Sequence, residues 1–313
     1  MAADIDDFLD HPNLAMSKTK GTYYGPVGRC IYCLSDTKPL TDEHIVPAGL
    51  GGNIILVDAS CGDCQCEINK HIENLCMKRM FRDIRYRRKL GTRRVRKRPK
   101  VLRQQELTSW DGDISNVQPP AKSPEGSWEW RDVPYEKHLS LLVLARFKPA
   151  GFLRGLSQQA SMADAFLGNW ILSELSETEP QNPVYVETEF SIPAFAKLIA
   201  KIAHAYAVFR HGVEGFDPFL ADFILGKDFP YPFYFIGGEA RVEPREKCPW
   251  HLMDSRLVGT RPVVGNIWVP RQQPILVRVR IFADLGAPIY QAIVGKYRHD
   301  RARLKPYERL TRK

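Results

Sequence analysis

Apolar and polar positions follow two different periods in the C-terminal part of the chain. Over residues 191–211 the apolar residues recur at helical spacing and form one face, which predicts a helix capped by Ser191. Over residues 276–282 they alternate with Arg278 and Arg280, which predicts a strand. We therefore expect a mixed α+β architecture in this region.

Polar residues mark the other side of the predicted helix. Lys197, Lys201, His204 and His211 share that side, roughly opposite the apolar stripe. We expect a solvated basic face there, and a second surface that contacts phosphate groups is the alternative.

The N-terminal pattern predicts two strands followed by a long helix. Residues 40–47 lead into a glycine turn at 50–53, and the apolar run 54–57 is typical of a strand. A helix is predicted over residues 61–89.

The middle of the chain is less periodic. Several prolines interrupt residues 104–135, which predicts a linker or an irregular β region. Farther on, we expect a strand over residues 139–147 and a helix over residues 160–175.

The composition excludes several classes of protein. With 44% apolar and 26% charged residues among 313, the chain resembles a globular protein large enough for two domains. It has no run of about 18 apolar residues, so no membrane span is expected. Residues 1–20 are acidic, lack the apolar segment of a secretory signal and are expected to form a flexible tail. We therefore expect a cytoplasmic protein with no membrane partner.

Positive charge is concentrated in one segment. The net charge is +9, yet residues 78–103 alone carry fourteen Lys and Arg against one acid. The rest of the chain is therefore net acidic. A local basic block of this kind is typical of a surface that binds a polyanion such as nucleic acid.

Four of the seven cysteines form two C-x-x-C pairs with 27 residues between them. Cys30 with Cys33, and Cys61 with Cys64, can each bring two thiolates to one ion from a tight turn. Two such pairs are the usual framework of a structural zinc site. Buried thiols or a redox pair are the alternatives.

The segment between the cysteine pairs carries the candidate chemistry. Glu43 and His44 are adjacent, and a glycine turn with Asn53 follows them. A bulge or bend could bring both side chains to one site, since neighbours on a regular strand point to opposite sides. His44 could then deprotonate a water beside a phosphodiester, because its unperturbed pKa is near neutral. Glu43 could help to hold a divalent ion.

The order C-x-x-C, EHIVP, LGG, C-x-x-C resembles the zinc-bearing branch of the HNH (His-Me finger) endonucleases, over roughly residues 30–89. This resemblance implies a ββα-metal fold and metal-dependent cleavage of nucleic acid, usually DNA. It implies that His44 is the general base and that Glu43 stands in the place of a metal-binding residue. It also implies that Asn53 steadies the hairpin loop and that the four cysteines bind structural zinc.

The chain departs from the family pattern at the third catalytic position. The family places Asn or His directly after the last cysteine or a few residues farther on, whereas this chain has Gln65 there. We favour Asn69, one helical turn later, as the third catalytic residue and as a second ligand of the divalent ion. His71 and Glu73 are the alternatives, and a domain that binds without cleaving stays open.

The predicted helix continues from the candidate site into the basic segment. Its cationic residues would form an arm that contacts phosphate groups, which gives affinity but little sequence choice. The residues predicted to bind nucleic acid are Arg82, Arg85, Arg88, Lys89, Arg93, Arg94, Arg96, Lys97 and Arg98.

The sequence thus predicts an α+β protein with three parts after the tail. These are an N-terminal ββα-metal (HNH) domain with structural zinc at 21–103, a linker or irregular β region at 104–190, and a C-terminal mixed α+β domain at 191–313 for recognition or oligomerisation. The predicted activity is Mg²⁺- or Mn²⁺-dependent hydrolysis of phosphodiester bonds in DNA. A zinc-stabilised nucleic-acid-binding module without cleavage and a nuclease for structured RNA are the alternatives. A homo-oligomer is also compatible with the sequence.

Overall fold

The chain folds into a mixed α+β structure, as predicted, in a computed structural model. The predicted tail and the basic residues 91–100 lie outside the described part of the chain. The structure describes residues 21–90, 101–108, 115, 117–134, 137–138, 140–156, 161–174, 182–185, 189–239, 250–258, 273–298 and 307–311.

Strands and helices alternate irregularly along the chain. The strands are β1 (Thr22–Tyr24), β2 (Leu40–His44), β3 (Ile54–Cys61), β4 (Val101–Leu107), β5 (Trp128–Pro134), β6 (Ser140–Phe147), β7 (Phe166–Glu174), β8 (Val184–Tyr185), β9 (Phe216–Pro218), β10 (Ile236–Gly238), β11 (His251–Leu257), β12 (Pro274–Ile281), β13 (Tyr290–Tyr297) and β14 (Arg309–Leu310). The α-helices are α1 (Gly62–Ile68), α2 (Arg82–Arg87), α3 (Met162–Ala165), α4 (Ile192–His211), α5 (Ala221–Ile224) and α6 (Pro232–Phe235). Two π-helical turns, Asn69–Glu73 and Cys76–Met80, lie between α1 and α2.

The N-terminal sheet has the strand order β14-β1-β3-β2. β2 and β3 form the antiparallel hairpin expected from the sequence, and β1 runs parallel to β3. β2 has a shift of register between Thr41 and Glu43, but Glu43 and His44 pair in regular register with Leu56 and Ile55, so the bend that would bring both side chains to one site is absent between them. The helical segment that begins with α1 follows β3 directly, so the local order is strand, turn, strand, helix.

A second sheet, β10-β13-β12-β11 with β9 beside β13, makes up most of the C-terminal part. β12 confirms the strand predicted over residues 276–282. Both of its arginines are buried, because they bind protein groups. The Nε of Arg278 donates to Asp254 on β11 at 3.0 Å, and the Nε of Arg280 donates to the carbonyl oxygen of Ala287 at 2.7 Å.

The central element of the fold is α4. It packs on β11, β12 and β13, and also on the π-helical turns that follow α1. Ser191 caps its first turn, as predicted, by accepting a hydrogen bond of 3.4 Å from the backbone N–H of Ala194. By length and composition this helix could cross a membrane, but most of it is buried inside the protein, as in a core helix.

The expected basic face of α4 is wrong. Lys201 and His204 are 0% and 1% exposed, because protein surrounds the side of the helix that the pattern left to solvent. Lys197 and His211, on the same side, are partly buried. A buried ammonium group therefore lies in the middle of the central helix.

A single cluster of buried apolar side chains joins the two ends of the chain. It includes Ile31 and Ile72, near the cysteine pairs, together with Ile202 of α4 and Val279 of β12. The N-terminal sheet also joins the two ends of the chain, because β14 pairs with β1. The unit with the cysteine pairs and the C-terminal half thus share one core.

The middle of the chain is β structure. β4 and β5 pair over their whole length and β8 joins β4, so residues 104–135 contain a regular antiparallel ribbon. β6 confirms the strand predicted over residues 139–147. The helix predicted over residues 160–175 is wrong: after the short α3, the chain continues as β7, paired with β6. Gly168 has a φ of +119°, which an α-helix does not accommodate.

Candidate active site

The two cysteine pairs meet at one point. The four Sγ atoms of Cys30, Cys33, Cys61 and Cys64 lie within 4.8 Å of one another. The Sγ atoms of Cys33 and Cys61 are 3.7 Å apart. Tetrahedral zinc with Zn–S bonds of about 2.3 Å keeps its sulfurs about 3.8 Å apart, so the cluster could hold a metal ion such as zinc.

The local backbone explains how the cysteines meet. The first pair lies in a turn before β2, and the backbone N–H of Ile31 donates to the carbonyl oxygen of Ala59 at 2.8 Å. Cys61 ends β3 and Cys64 lies in the first turn of α1. A metal ion at this cluster would therefore tie the first turn to the junction of hairpin and helix.

The cysteine cluster is the one compact set of metal-ligating side chains in the described ranges. No other group of three His, Cys, Asp or Glu residues there brings its ligand atoms so close together. A catalytic divalent ion would therefore depend on fewer protein carboxylates, with water and phosphate completing its shell.

His44 ends β2 and is half-buried. Its Nδ1 lies 3.3 Å from the carbonyl oxygen of Gly52. A carbonyl only accepts, so Nδ1 carries the proton and Nε2 carries the lone pair. Within the described residues Nε2 has no hydrogen-bond partner. Burial and the charge of Lys201 lower the pKa of His44, which favours the neutral imidazole that a general base needs.

The glycine turn holds the partner of His44. A Cβ at Gly52 would lie 1.8 Å from the carbonyl oxygen of Val46, so no larger residue fits there without a shift of the backbone. Gly51 has a φ of +87°, a left-handed conformation that favours glycine. Asn53 follows, is buried, and accepts a backbone hydrogen bond of 2.7 Å from Thr22 of β1. The LGG sequence thus fixes the carbonyl group that orients the imidazole.

Glu43 lies beside His44 in sequence but has different partners. Its side chain is 5% exposed, and its Oε1 lies 2.6 Å from the Nζ of Lys201 in α4. The register shift in β2 comes before Glu43, so the Glu43 carboxylate and the His44 imidazole stay on opposite faces of the strand. A divalent ion bound by Glu43 would share the carboxylate with an ammonium group.

Lys201 connects several groups of the candidate site. Besides Glu43, its Nζ donates to the carbonyl oxygen of His44 at 2.5 Å and lies 3.4 Å from that of Ile45. The Oε1 of Glu73 is 3.5 Å away. Burial alone would lower the pKa of Lys201, but the two carboxylates raise it, so the ammonium stays charged. The sequence pattern missed this residue, because Lys197, His204 and His211 on the same side of the helix made it resemble part of a solvated face.

The two carboxylates also affect each other. Burial raises the pKa of Glu43, the ammonium of Lys201 opposes this, and the charge of Glu73 adds to it. Burial, with Glu43 and Glu73 nearby, raises the pKa of the Tyr32 phenol. The cluster therefore combines two acids with one fixed cation beside the candidate base.

The structure separates the three candidates for the third position. Asn69 begins a π-helical turn and is partly buried. His71 is exposed and its Nε2 lies 3.3 Å from Glu67, on its own helix. Glu73, at the end of the turn, faces the buried lysine described above. The residue that reaches the Glu43 cluster is therefore Glu73 and not His71.

The structure also shows what Gln65 contacts, the residue at which the sequence departs from the HNH pattern. Gln65, the residue after the last cysteine, donates from its Nε2 to the backbone carbonyl of Asp42 at 3.2 Å. It therefore ties α1 to β2, one residue before Glu43. Asn69 lies between Gln65 and Glu73 along the helical segment. Gln65 contacts β2, and Glu73 contacts Lys201, which itself binds β2.

Two of the predicted phosphate-binding arginines need correction. Arg85 and Arg88 are 9% and 7% exposed and bind protein groups instead. Arg85 donates to the carbonyl oxygens of Gly49 at 2.6 Å and Met77 at 2.7 Å, which fastens the helix to the glycine turn. Arg88 pairs with Asp284 at 2.7 Å. Burial, which the charge pattern does not show, removes both from the surface offered to nucleic acid.

The other residues predicted to bind nucleic acid either lie on the surface or fall outside the described residues. Arg82 and Lys89 are exposed, and the Nε of Arg82 lies 2.8 Å from Asp83. The predicted contacts that lie outside the described residues are Arg93, Arg94, Arg96, Lys97 and Arg98.

Two histidines of the C-terminal half bind main-chain oxygens around the candidate site. The Nε2 of His251 lies 2.8 Å from the carbonyl oxygen of Leu50, in the glycine turn. The Nε2 of His204 lies 2.7 Å from that of Ile31, in the first cysteine turn. Burial lowers the pKa of both histidines to about 4, so they are neutral donors. The C-terminal half therefore supports the hairpin at several separate points.

The candidate site consists of a strand–turn–strand–helix unit, a four-cysteine cluster, an oriented histidine and a buried acid–lysine cluster. No protein-family model, no curated protein and no solved structure matches the chain.

Proposed function

We propose that this protein is a metal-dependent endonuclease of the HNH type that hydrolyses phosphodiester bonds in DNA. The observation that carries the proposal is the imidazole of His44. Its Nδ1 faces the carbonyl oxygen of Gly52, and its Nε2 has no other partner among the described residues. The unit around it follows the order that the sequence resemblance implies, with the four cysteines clustered beside it.

His44 acts as the general base. Its Nε2 takes a proton from water, the resulting hydroxide attacks phosphorus, and the bond from phosphorus to the leaving oxygen breaks. The bond from Nδ1 to Gly52 keeps the ring in one orientation while it is cationic. The nearby charges of Glu73 and Asp42 favour that imidazolium, although burial and Lys201 oppose it.

A divalent ion, Mg²⁺ or Mn²⁺, completes the proposed site. Oxygen ligands suit this ion, and one or two carboxylates with water and phosphate are enough. Asn69 has such an oxygen on the helical segment, and Glu43 or Glu73 would contribute one only by sharing its carboxylate with the ammonium of Lys201. When bound, the ion would stabilise the negative charge on the phosphate and on the leaving oxygen.

Nucleic acid is the proposed partner because of the basic segment. Arg82 and Lys89 are exposed at the end of the helical segment that begins in the candidate site. The strongly basic residues 91–100 follow directly in sequence. Contacts from such residues to phosphates would give a salt-dependent affinity.

The test compares wild type with His44→Ala on supercoiled plasmid, with Mg²⁺ or Mn²⁺ and with chelator. The two proteins are first matched for zinc content and thermal unfolding, and Asn74→Ala, an exposed site on the same helical segment, serves as a control. We expect nicked or linear product from wild type and from the control only, and only with metal. Cleavage by His44→Ala would assign the activity to another residue or to a contaminant.

A binding module without cleavage is the second candidate. The observation that favours it is the ion pair between Glu43 and Lys201, which neutralises the acid at the predicted metal position. In that case wild type would bind DNA with the expected salt dependence and cut neither DNA nor structured RNA. Cleavage of RNA alone would identify the third alternative.

A further inference from the structure

We propose that Lys201 is a positioning residue of the candidate site, which holds β2 from α4 so that the His44 imidazole keeps its orientation toward Gly52. The inference deepens the proposed function, on which its activity readout rests. Its spectroscopic readout does not depend on any cleavage by the protein.

The contacts of the ammonium lead to this role. Its Nζ lies 2.5 Å from the carbonyl oxygen of His44 and 3.4 Å from that of Ile45. These two carbonyl groups flank the backbone N–H and Cα of Ile45, the residue that follows β2 and leads toward the glycine turn. The carboxylate of Glu43, on the other side of His44, lies 2.6 Å from the same nitrogen. The side chain of Lys201 therefore contacts the chain both before and after the imidazole-bearing residue, His44.

The burial of Lys201 makes these contacts specific. The residue is 0% exposed in the middle of a core helix, where an ammonium without partners would be very unfavourable. Replacing a whole buried ion pair by well-packed apolar residues is often neutral or stabilising, so net stability does not explain why this pair is present. The contacts with Glu43 and His44 of β2 and with Ile45, the next residue, are therefore what the lysine adds, and they lie at the candidate site.

The rest of the hairpin does not provide the same restraint. The backbone N–H of Ile45 donates to Ile54 of β3 at 3.1 Å, and His251 binds Leu50 farther along the turn. Neither contact touches the carbonyl of His44. Without the ammonium, that carbonyl loses its donor from α4, and the hydrogen bond from the Ile45 N–H to Ile54 is left to hold the peptide after His44.

The first readout is the tautomer of His44, measured by nitrogen NMR of the histidine rings at one neutral pH. The full chain is used with zinc bound, as wild type, Lys201→Met, Lys201→Arg and Lys197→Met. Lys197 is the matched control, since it lies one turn earlier on α4 and its Nζ sits 5.6 Å from the ring centre of Phe223, away from β2. His251 is the internal reference, because its Nε2 faces Leu50 and its Nδ1 accepts from Phe282.

We expect His44 to show a single Nδ1-protonated form in wild type and in Lys197→Met. In Lys201→Met it should become a mixture of both tautomers, while His251 keeps its Nε2-protonated signature. Lys201→Arg, which retains donors and charge, should restore the wild-type signature in part. An unchanged His44 signature in Lys201→Met would overturn the proposal.

The second readout separates turnover from binding. For Lys201→Met we expect a fall in kcat of about 10- to 100-fold with an unchanged Kd for DNA, since a misoriented base affects the chemical step. Equal losses in Lys197→Met, or a change in Kd alone, would contradict positioning.

The two readouts distinguish the two hypotheses. If wild type does not cleave but the His44 signature still changes in Lys201→Met, the nuclease proposal fails and the positioning role stands. If Lys201→Met loses the His251 signature or its zinc, it has lost its fold, and the double variant Lys201→Met with Glu43→Gln replaces it. That variant removes the buried carboxylate of Glu43, and the carboxylate of Glu73 is 24% exposed and keeps solvent as a partner, so its His44 signature decides in the same way.

Discussion

Lys201 of α4 and Glu43 of β2 are 158 positions apart in the sequence, yet the ammonium nitrogen and a carboxylate oxygen lie only 2.6 Å apart. Both side chains are buried. Such a pair adds little net stability, but removing one partner leaves the other charge buried alone, which costs about 3–5 kcal/mol. The two halves of the chain are therefore linked directly at the candidate site.

The cysteine cluster predicts one bound zinc per chain. Cys61→Ser should remove the metal and unfold the hairpin and the helix after it, because a zinc ion at the cluster would join these elements and its binding would contribute to folding. Cys66→Ser is the matched control, since Cys66 is exposed, lies two residues after Cys64 and is not part of the cluster. Metal analysis and circular dichroism measure both effects. Zinc loss in Cys66→Ser, or full zinc in Cys61→Ser, would contradict the assignment of the ligands.

The glycine turn predicts an unequal response to two alanine substitutions. Gly52→Ala should be destabilising by about 2 kcal/mol or more, because its Cβ would lie 1.8 Å from the Val46 carbonyl oxygen and the backbone must move. Gly62→Ala meets nothing within 4 Å in α1 and should be neutral or stabilising by up to about 1 kcal/mol. Urea unfolding compares the two. If Gly52→Ala unfolds like wild type, the close approach at this turn is not required.

Local patterns predicted much of this fold from the sequence. The spacing of the cysteines, the glycine turn, the helix capped at Ser191 and the strand around Val279 all leave signals within a few residues. The same patterns misplaced β7, because pairing with β6 decides its conformation and single-segment periodicity does not report pairing.

Long-range contacts explain what the sequence left out of the site. Lys201 and Arg85 look like surface charges in their own segments, and only the packing of α4 and the glycine turn shows that both are buried. The charge count around residues 78–103 likewise combines exposed arginines with buried ones. The roles of such residues depend on partners far away in the chain, which no local period encodes.

Two arginines near the end of the helical segment should behave differently toward DNA. Arg82→Ala should weaken binding and lower the slope of log affinity against log salt by about 1, because its guanidinium is exposed. Arg85→Ala should leave that slope unchanged and cost about 1–3 kcal/mol of stability, because the carbonyls of Gly49 and Met77 lose their donor. Fluorescence anisotropy at several salt concentrations and urea unfolding test the pair. A lower salt slope in folded Arg85→Ala would return this residue to the nucleic-acid surface.

Buried histidines predict how stability falls in acid. Burial lowers the pKa of His204 and His251 to about 4, and that of the partly buried His211 to about 4 as well. Between about pH 6.5, the ordinary pKa of histidine, and about pH 4, the unfolded chain binds protons that the folded protein does not. The free energy of unfolding therefore decreases as the pH is lowered through this range. His204 and His251 should each contribute about 3 kcal/mol to this loss, and His211 less because solvent reaches it. Below about pH 4 these groups cause no further loss.

Urea unfolding between about pH 7.5 and about pH 4.5 measures this loss, with zinc content followed at each pH because protonated thiols release metal. In His251→Gln the side-chain amide can still donate to the Leu50 carbonyl, but it does not titrate. This variant should lose roughly a third to a half of the slope, since His204 and His211 still contribute. A slope identical to that of wild type would show that His251 takes no part in the proton uptake, which would then belong to His204, His211 or other groups. The buried hydrogen bond between His251 and Leu50 would then have no part in the acid sensitivity of the hairpin.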